Sequence, residues 1–305
     1  MTTATVQKLF KRATAQRVVG LDAGSATVKI VELQREGQTL RLLRYAVVQT
    51  EKKASEAIHQ ARQEVNNGFH RIAMGLASPE VVMRPFDFPP MPKKELQSAI
   101  RLEAEQAILN GHTLHEMAVD WQVFPAESGE RLRGILAVVP KSVVSERIKL
   151  AEAGGIRPSV IDVEGLALWN AYWALLGSRH LGLSVVGLVH VGAGTTTVVV
   201  AKGSNELGLV RDVRLGGIAI NEGRSREWLE EIRDSLSYAR SQGGLRTIDA
   251  VYVSGGYVAQ GIHLLRPALH APVTLWNPLE QLQTAQPVTQ SLGPLLTVAI
   301  GLALR

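Results

Sequence analysis

The chain has 305 residues, 46% of them hydrophobic, which is enough to bury a large core and to form about two domains. Lys and Arg number 33 against 28 Asp and Glu; the resulting charge of +5 is mild and dispersed, so no nucleic-acid partner is expected. Cysteine is absent, which excludes a disulfide framework, a thiol nucleophile and a Cys-ligated metal.

Residues 1–16 read as an N-terminal leader. Val6, Leu9, Phe10 and Ala13 fall on one side of a short helix with Lys8, Lys11 and Arg12 around them, a pattern that suits either a frayed leader or contact with an anionic membrane surface. No run of about 18 uninterrupted apolar residues occurs, and the greasiest stretch, SLGPLLTVAIGLAL at the C-terminal end, reads as a buried helix. A cytoplasmic chain is expected.

The first strong local pattern is VVGLDAGSATVKIVEL, residues 18–33: an apolar strand, a tight turn and a β-branched strand. Such a turn can cradle phosphate. Gly24 leaves room for close approach, the successive backbone N–H groups of the turn form an anion nest, and Ser25 and Thr27 add hydroxyls. Asp22 at the strand end is the candidate for Mg²⁺ or its waters, and Lys29 could reach a terminal phosphate.

A polar turn at Glu36–Gln38, a strand over Leu40–Val48, a helix over Lys53–Val65 and a short strand over Ile72–Leu76 follow. RPFDFPPMP then breaks the pattern and leads into a helix over Lys93–Leu109, with Leu96, Ile100, Ala104 and Ile108 on one face, followed by two strand-like runs, VDWQVFPA and GILAVVP. Residues 84–140 therefore read as an inserted α+β subdomain. Its Phe86, Phe88, Met91, Leu96 and Trp121 are candidates either for a partner-binding groove or for the subdomain core. His112, His115 and Glu116 lack a further ligand at zinc spacing and read as a polar loop.

VIDVEGLALWNAY spaces Asp162 and Glu164 two apart, so an extended segment would turn both to one side. They could orient a water or metal, or complement the dipole of the following helix.

VHVGAGTTTVVVA, residues 189–201, then repeats the first turn at a spacing of 168 residues (22 to 190). His190 falls on Asp22, Gly192 on Gly24 and Thr195 on Thr27. The second copy continues in the same order, with a strand over Leu207–Leu215, a helix over Arg226–Arg240 and a strand over Ala250–Val253 closed by Ser254-Gly255-Gly256. Two mixed-sheet α/β domains that place their Gly turns across one cleft are expected. Either turn alone is also an ordinary hairpin; the pairing makes the signal specific. No Walker loop and no GxSxG elbow occurs.

With these residues in place, the chain resembles the type IV pilus assembly PilM family of the actin/hexokinase superfamily, relatives of the divisome protein FtsA. GLDAGSATVKIVEL is similar to the superfamily's first phosphate motif, VHVGAGTTT to its second and VYVSGG to its adenosine motif. FPPMPKKELQSAIRLEAEQ, VDWQVF, LAVVPKSVVSERIKLAEAGGIRPSVIDVEGLAL and the closing VAIGLALR carry the resemblance to the narrower family, over residues 8–305.

The resemblance implies an actin-like, ribonuclease H-like duplicated α/β fold. Domain IA would comprise 17–83 and 141–182, the insert of the 1C type 84–140, and domain IIA 183–305, with the IIB subdomain reduced to about 218–229. It also implies a cytoplasmic adaptor at the inner-membrane face that binds the N-terminal tail of a PilN-like membrane protein in a groove between IA and 1C, contacts other platform or motor proteins, reaches the membrane only through its partner, and is capable of self-association. An ATP site would comprise Asp22, Gly24, Ser25, Ala26, Thr27, Lys29, Gly192, Gly194, Thr195, Thr196, Ser254, Gly255 and Gly256, with Mg²⁺ at Asp22. Two departures point to a degenerate site: the second motif's Asp is His190, a poor magnesium ligand, and the lid over adenine is nearly absent. EAEQAILNGHT also lacks the Pro-Phe that often follows this helix in relatives. The competing expectations are an ATP-hydrolysing switch using Asp22, Lys29 and Asp162 or Glu164, and the cytoplasmic platform protein of a type II secretion system.

Overall fold

The computed structural model describes residues 16–37, 39–51, 53–65, 71–108, 111–124, 131–177, 185–203, 206–242 and 247–305. The leader over 1–15 and the boundary at 182/183 lie outside these residues.

Three sheets organise the chain. In the first, β1 (Gln16–Ala23), β2 (Thr27–Glu36) and β3 (Thr39–Gln49) form an antiparallel meander. β4 (Ile72–Leu76) and β8 (Val160–Val163) add in parallel beyond β1, and the two-residue β14 (Gln283–Thr284) adds beside β3. The order is β14-β3-β2-β1-β4-β8. In the second sheet, β9 (Val185–Val191), β10 (Thr196–Lys202) and β11 (Glu206–Val213) make the same meander, and β12 (Ala250–Ser254) and β13 (Val273–Leu275) extend it in parallel. The repeated sequence pattern is thus a repeated topology. It arises because meander strands alternate apolar faces, whereas parallel strands need helical crossovers.

The third sheet belongs to the insert. β5 (Val82–Phe88) and β6 (Met117–Val123) flank β7 (Leu132–Pro140), and α2 (Lys93–Ala107) covers one face. Strand β5 overlaps the proline-rich RPFDFPPMP segment that sequence reading treated only as a break. Proline is tolerated there because β5 is an edge strand.

Helices complete the layers. α1 (Ala54–Glu64) and α3 (Lys141–Ala153) cover the outer face of the first sheet, with Ala57, Ile58 and Ala151 packed against Leu21, Ile30 and Met74. α5 (Ser225–Gln242) and α6 (Val258–Ala268) do the same for the second sheet, where Trp228, Ile232 and Leu265 meet Val189, Val198 and Val253.

Two helices cross between the halves. α4 (Glu164–Leu175) leaves the first sheet but buries Leu168, Trp169 and Tyr172 on the second, against Leu188, Val199 and Val210. α7 (Gly293–Leu302) leaves the second half but buries Leu296, Ala299 and Ile300 on Val31 and Leu33 of the first. The two stack on each other so closely that a Cβ on Gly301 would strike the carbonyl oxygen of Ala167, and one on Gly20 of β1 would strike that of Ala299. The apolar C-terminal stretch is therefore a core helix. None of the described helices is long and apolar enough to cross a membrane.

Overpacking at such a contact costs about 1–3 kcal/mol, occasionally more. Gly301→Ala should lower the urea unfolding midpoint by a corresponding amount, because neither backbone can retreat.

Candidate functional site

The ends of β1 and β9 point at the same cleft. In each half the turn closes identically: the Gly24 N–H donates to the Thr27 carbonyl at 3.0 Å, and the Gly192 N–H to the Thr195 carbonyl at 3.0 Å. The two turns face each other closely enough that a Cβ on Gly194 would lie 3.1 Å from Ser25 Oγ. Between them is a cavity of about 290 Å³ lined by both turns, Lys29, Glu164, His190, Thr197, Gly256 and Tyr257, among others. Other surface clefts are larger, but this one gathers the buried Asp22, Lys29, Glu164 and His190.

Strand register sets the chemistry. Asp22 on β1 lies opposite Lys29 on β2, and the pair closes as a buried ion pair with Nζ 3.0 Å from Oδ2. The equivalent cross-strand pair in the second half is His190 and Thr197. One half thus holds an Asp–Lys pair and the other a neutral His and a hydroxyl. His190 Nδ1 shares a hydrogen bond of 2.9 Å with Ser254 Oγ, and burial lowers its pKa to about 4, so the imidazole is neutral at pH 7. Thr197 Oγ1 donates to Asp212 Oδ1 at 2.7 Å, and the Ser78 N–H donates to Asp212 Oδ2 at 3.1 Å. Burial still raises Asp212 to about 6.

Glu164 begins α4 and enters the cleft from its floor. Burial foremost, and then the nearby Asp22 carboxylate, push its pKa up to about 8, outweighing Arg147, whose Nη2 lies 3.4 Å from Glu164 Oε1. At neutral pH it is a protonated acid. Arg147 also donates to the Gly75 carbonyl at 2.8 Å.

The structure assembles Asp22, Gly24, Ser25, Ala26, Thr27, Lys29, Gly192, Gly194, Thr195 and Gly256 around the cleft. Thr196 is elsewhere. Strand alternation turns it into the core, where its hydroxyl donates to the Leu215 carbonyl at 2.7 Å and accepts from Trp228 Nε1 at 2.8 Å. Ser254 acts behind His190, and Gly255, at φ +105°, lets the chain cross the Val191 carbonyl, where a side chain has no room.

The expectation that Asp162 and Glu164 share a side is corrected. The chain passes from strand to helix between them, so Asp162 faces away from the cleft and is bound by Arg305 at 2.5 and 2.7 Å. Sequence reading also missed Thr197, Asp212 and Arg147. Thr197 was within reach, since it lies 168 residues beyond Lys29, whereas the other two arrive through tertiary packing.

A phosphate group fits this cleft, with Lys29, Ser25 Oγ and the turn amides to hold it. A magnesium ion does not. Mg²⁺ takes one or two free carboxylates together with phosphate oxygens, whereas here Asp22 is engaged by Lys29, Glu164 is buried beside Arg147, Asp212 is held by Thr197 and Ser78, and an imidazole stands where the second motif would carry its carboxylate. Among the described residues no cluster of three His, Cys, Asp or Glu is placed to hold a metal. Among the described residues no lid covers the site either, because β11 runs through a short helical turn, Gly217–Ala219, and a wide turn, Ile220–Arg224, straight into α5.

A second concavity, about 520 Å³, lies between the insert and the first domain. Alternation along β7 sends Leu136 and Val138 under α2 and Ile135, Ala137 and Val139 into this groove. Val160, Leu166 and the Asp162–Arg305 pair form the opposite wall. Of the expected groove residues, only Trp121, on β6, lines it. Phe86 and Leu96 are buried in the insert's core, and Phe88 and Met91 pack against that core, because the face of α2 that carries Leu96 covers the other side of the sheet. Among the described residues β6 is an edge strand paired only with β7, and the Trp121 amide donates to the Asp120 carboxylate at 2.9 Å. His112 and His115 form no metal cluster; His112 Nδ1 lies 4.0 Å from Glu116.

Comparison with known proteins places these features. The family described as type IV pilus assembly protein PilM matches residues 20–228. A solved structure described as the PilM–PilN type IV pilus biogenesis complex is 23% identical, with TM-score 0.79, over 95% of this chain and 98% of that one. A Bacteroides thetaiotaomicron protein with an actin-like ATPase fold and unknown function is 13% identical, with TM-score 0.50, over 87% of this chain and 92% of that one. The cytoplasmic domain of EpsL, an inner-membrane component of the Vibrio cholerae type II secretion system, gives 10% and 0.47 over 95% of both chains. The fold is actin-like.

Two opposite pH responses follow from the buried groups. Glu164 holds its proton in the folded state up to about pH 8 but only to about 4.5 when unfolded, so wild type loses stability as pH rises through that window. Glu164→Gln should lie within about 1 kcal/mol of wild type near pH 4.5 and gain on it up to pH 8. His190 stays neutral in the folded state down to about pH 4, below its unfolded 6.5, so wild type should lose ground to His190→Asn as pH falls from 6.5 to 4. Thermal unfolding of the three proteins across pH 4–9 checks both.

Proposed function

This chain belongs to the type IV pilus assembly protein PilM family, and from that premise we propose that it is a non-hydrolysing adaptor that holds the N-terminal tail of a PilN-like inner-membrane protein at the cytoplasmic face of the membrane. The observation that carries this reading is the groove beside β6. It joins an apolar floor, a half-exposed Trp121 and an edge strand without a second strand neighbour among the described residues. An extended tail can add to such an edge through its main chain and set its side chains in the apolar floor. The solved PilM–PilN complex supports the choice of partner.

The domain limits expected from sequence, 17–83 with 141–182, 84–140 and 183–305, remain the working division, with the insert supplying one wall of the groove and domain IA the other. The same reading makes the phosphate cleft a nucleotide-type pocket of reduced capability. Without a free carboxylate to orient a metal-bound water, and with no lid over a base, it is unsuited to turnover. No observation favours the hydrolysing enzyme or the secretion-platform alternative over the adaptor.

The test is fluorescence anisotropy with a labelled peptide of the partner's cytoplasmic tail. Trp121→Ala should weaken binding about tenfold, a loss of about 1.4 kcal/mol, while Leu102→Ala, exposed on the far helix α2, should not change it. A tail peptide that fails to bind the wild-type protein would sink the adaptor reading. ATP should give phosphate release indistinguishable from buffer.

A further inference from the structure

Superimposing the two half-sites leaves one chemical oddity. Each half offers a cross-strand pair at its turn, but the first half's pair is a buried acid and a buried base, and the second half's pair carries no charge. Lys29 is only 6% exposed and Asp22 2%. The Lys29 ammonium sits beneath the first turn, where a Cβ on Gly24 would come within 3.0 Å of Nζ. It has three donors and one goes to Asp22, so the remaining two are available to an anion seated at the turns. On the facing side His190 is fixed by Ser254, and Asp212 is already held by Thr197 and Ser78.

We propose that this cleft binds phosphate-bearing ligands without a divalent cation, with Lys29 supplying the countercharge that Mg²⁺ supplies where two free carboxylates face the phosphates. A bare divalent ion entering here meets the Lys29 ammonium, and its two customary acidic anchors are respectively ion-paired and replaced. A phosphate meets that ammonium as a partner, along with Ser25 Oγ and the Ser25, Ala26 and Gly194 amides, which donate no hydrogen bond to another described residue. The substrate class is therefore a metal-free phosphate, pyrophosphate or nucleoside diphosphate. The ligand's base would lie in solvent and contribute little.

The inference rests on reading the cleft as the fold's nucleotide-type pocket, while the tail groove is a separate surface, so the two can fail separately. Calorimetry of the full chain with inorganic pyrophosphate and with ADP, each in EDTA and in MgCl₂, tests it, with tail-peptide binding measured on the same preparation. The expected result is an affinity in EDTA within twofold of, or tighter than, that in MgCl₂. His190→Asp, which restores a carboxylate opposite Asp22, should make ADP binding at least tenfold tighter with Mg²⁺ than without.

Lys29→Met should abolish binding. Because it strands the Asp22 charge and can prevent folding, Ser25→Ala, at an exposed position, serves as the milder variant, with an expected loss of several-fold. Binding at least tenfold weaker in EDTA than in MgCl₂ would overturn the inference, as would absence of binding to either ligand in both buffers. A His190→Asp protein that folds yet stays indifferent to Mg²⁺ would overturn the role given to His190.

Discussion

The backbone contact between the crossing helices governs this molecule. Gly301 lies against Ala167 and Gly20 against Ala299, so α4, α7 and β1 approach as closely as main chains can. Each helix belongs in sequence to one half and packs on the other, and their crossing fixes the distance between the two sheets. The two glycine turns that line the cleft are built on the ends of those sheets. The coupling is direct at one point, where the Gly255 N–H donates to the Pro294 carbonyl at 2.8 Å and ties the end of β12 to the start of α7. Separation of the halves would therefore break helix packing before it opened the cleft.

Electrostatics in the cleft follows from that geometry. Charges buried beneath the turns are costly unless they are paired, hydrogen-bonded or neutralised. Asp22 persists because Lys29 is opposite it, Glu164 takes up a proton, and His190 gives one up. The same burial leaves Asp22 ion-paired with Lys29 and Asp212 held by Thr197 and Ser78, so the paired-turn shape of the cleft and a metal-dependent chemistry have come apart in one place.

Much of this was legible in the residues, for identifiable reasons. The 168-residue repeat was visible because Gly-bearing turns between β-branched strands are rigidly patterned, and it located both sheets and the facing of their turns. The face of the insert helix was legible from Leu96, Ile100 and Ala104. What failed were judgements one residue wide. Thr196 and Thr197 differ only in which side of β10 they occupy, and Asp162 and Glu164 part because a strand ends between them. The lining of the groove was misassigned for a related reason: an apolar residue on a two-layered insert can face its helix or the neighbouring domain, and composition does not distinguish Phe86 from Ile135. β5 was hidden by its proline, which only an edge strand accommodates.

That the insert's sheet ends in open edges has a consequence for quantity as well as recognition. A strand with unsatisfied main-chain groups beside an apolar floor templates whichever extended chain is present, including another copy of itself. Under the proposed adaptor role, supply of the tail would act as a protective stoichiometry: an excess of this chain over its partner would leave bare edges in solution, and solubility would become a property of the pair and not of the single chain.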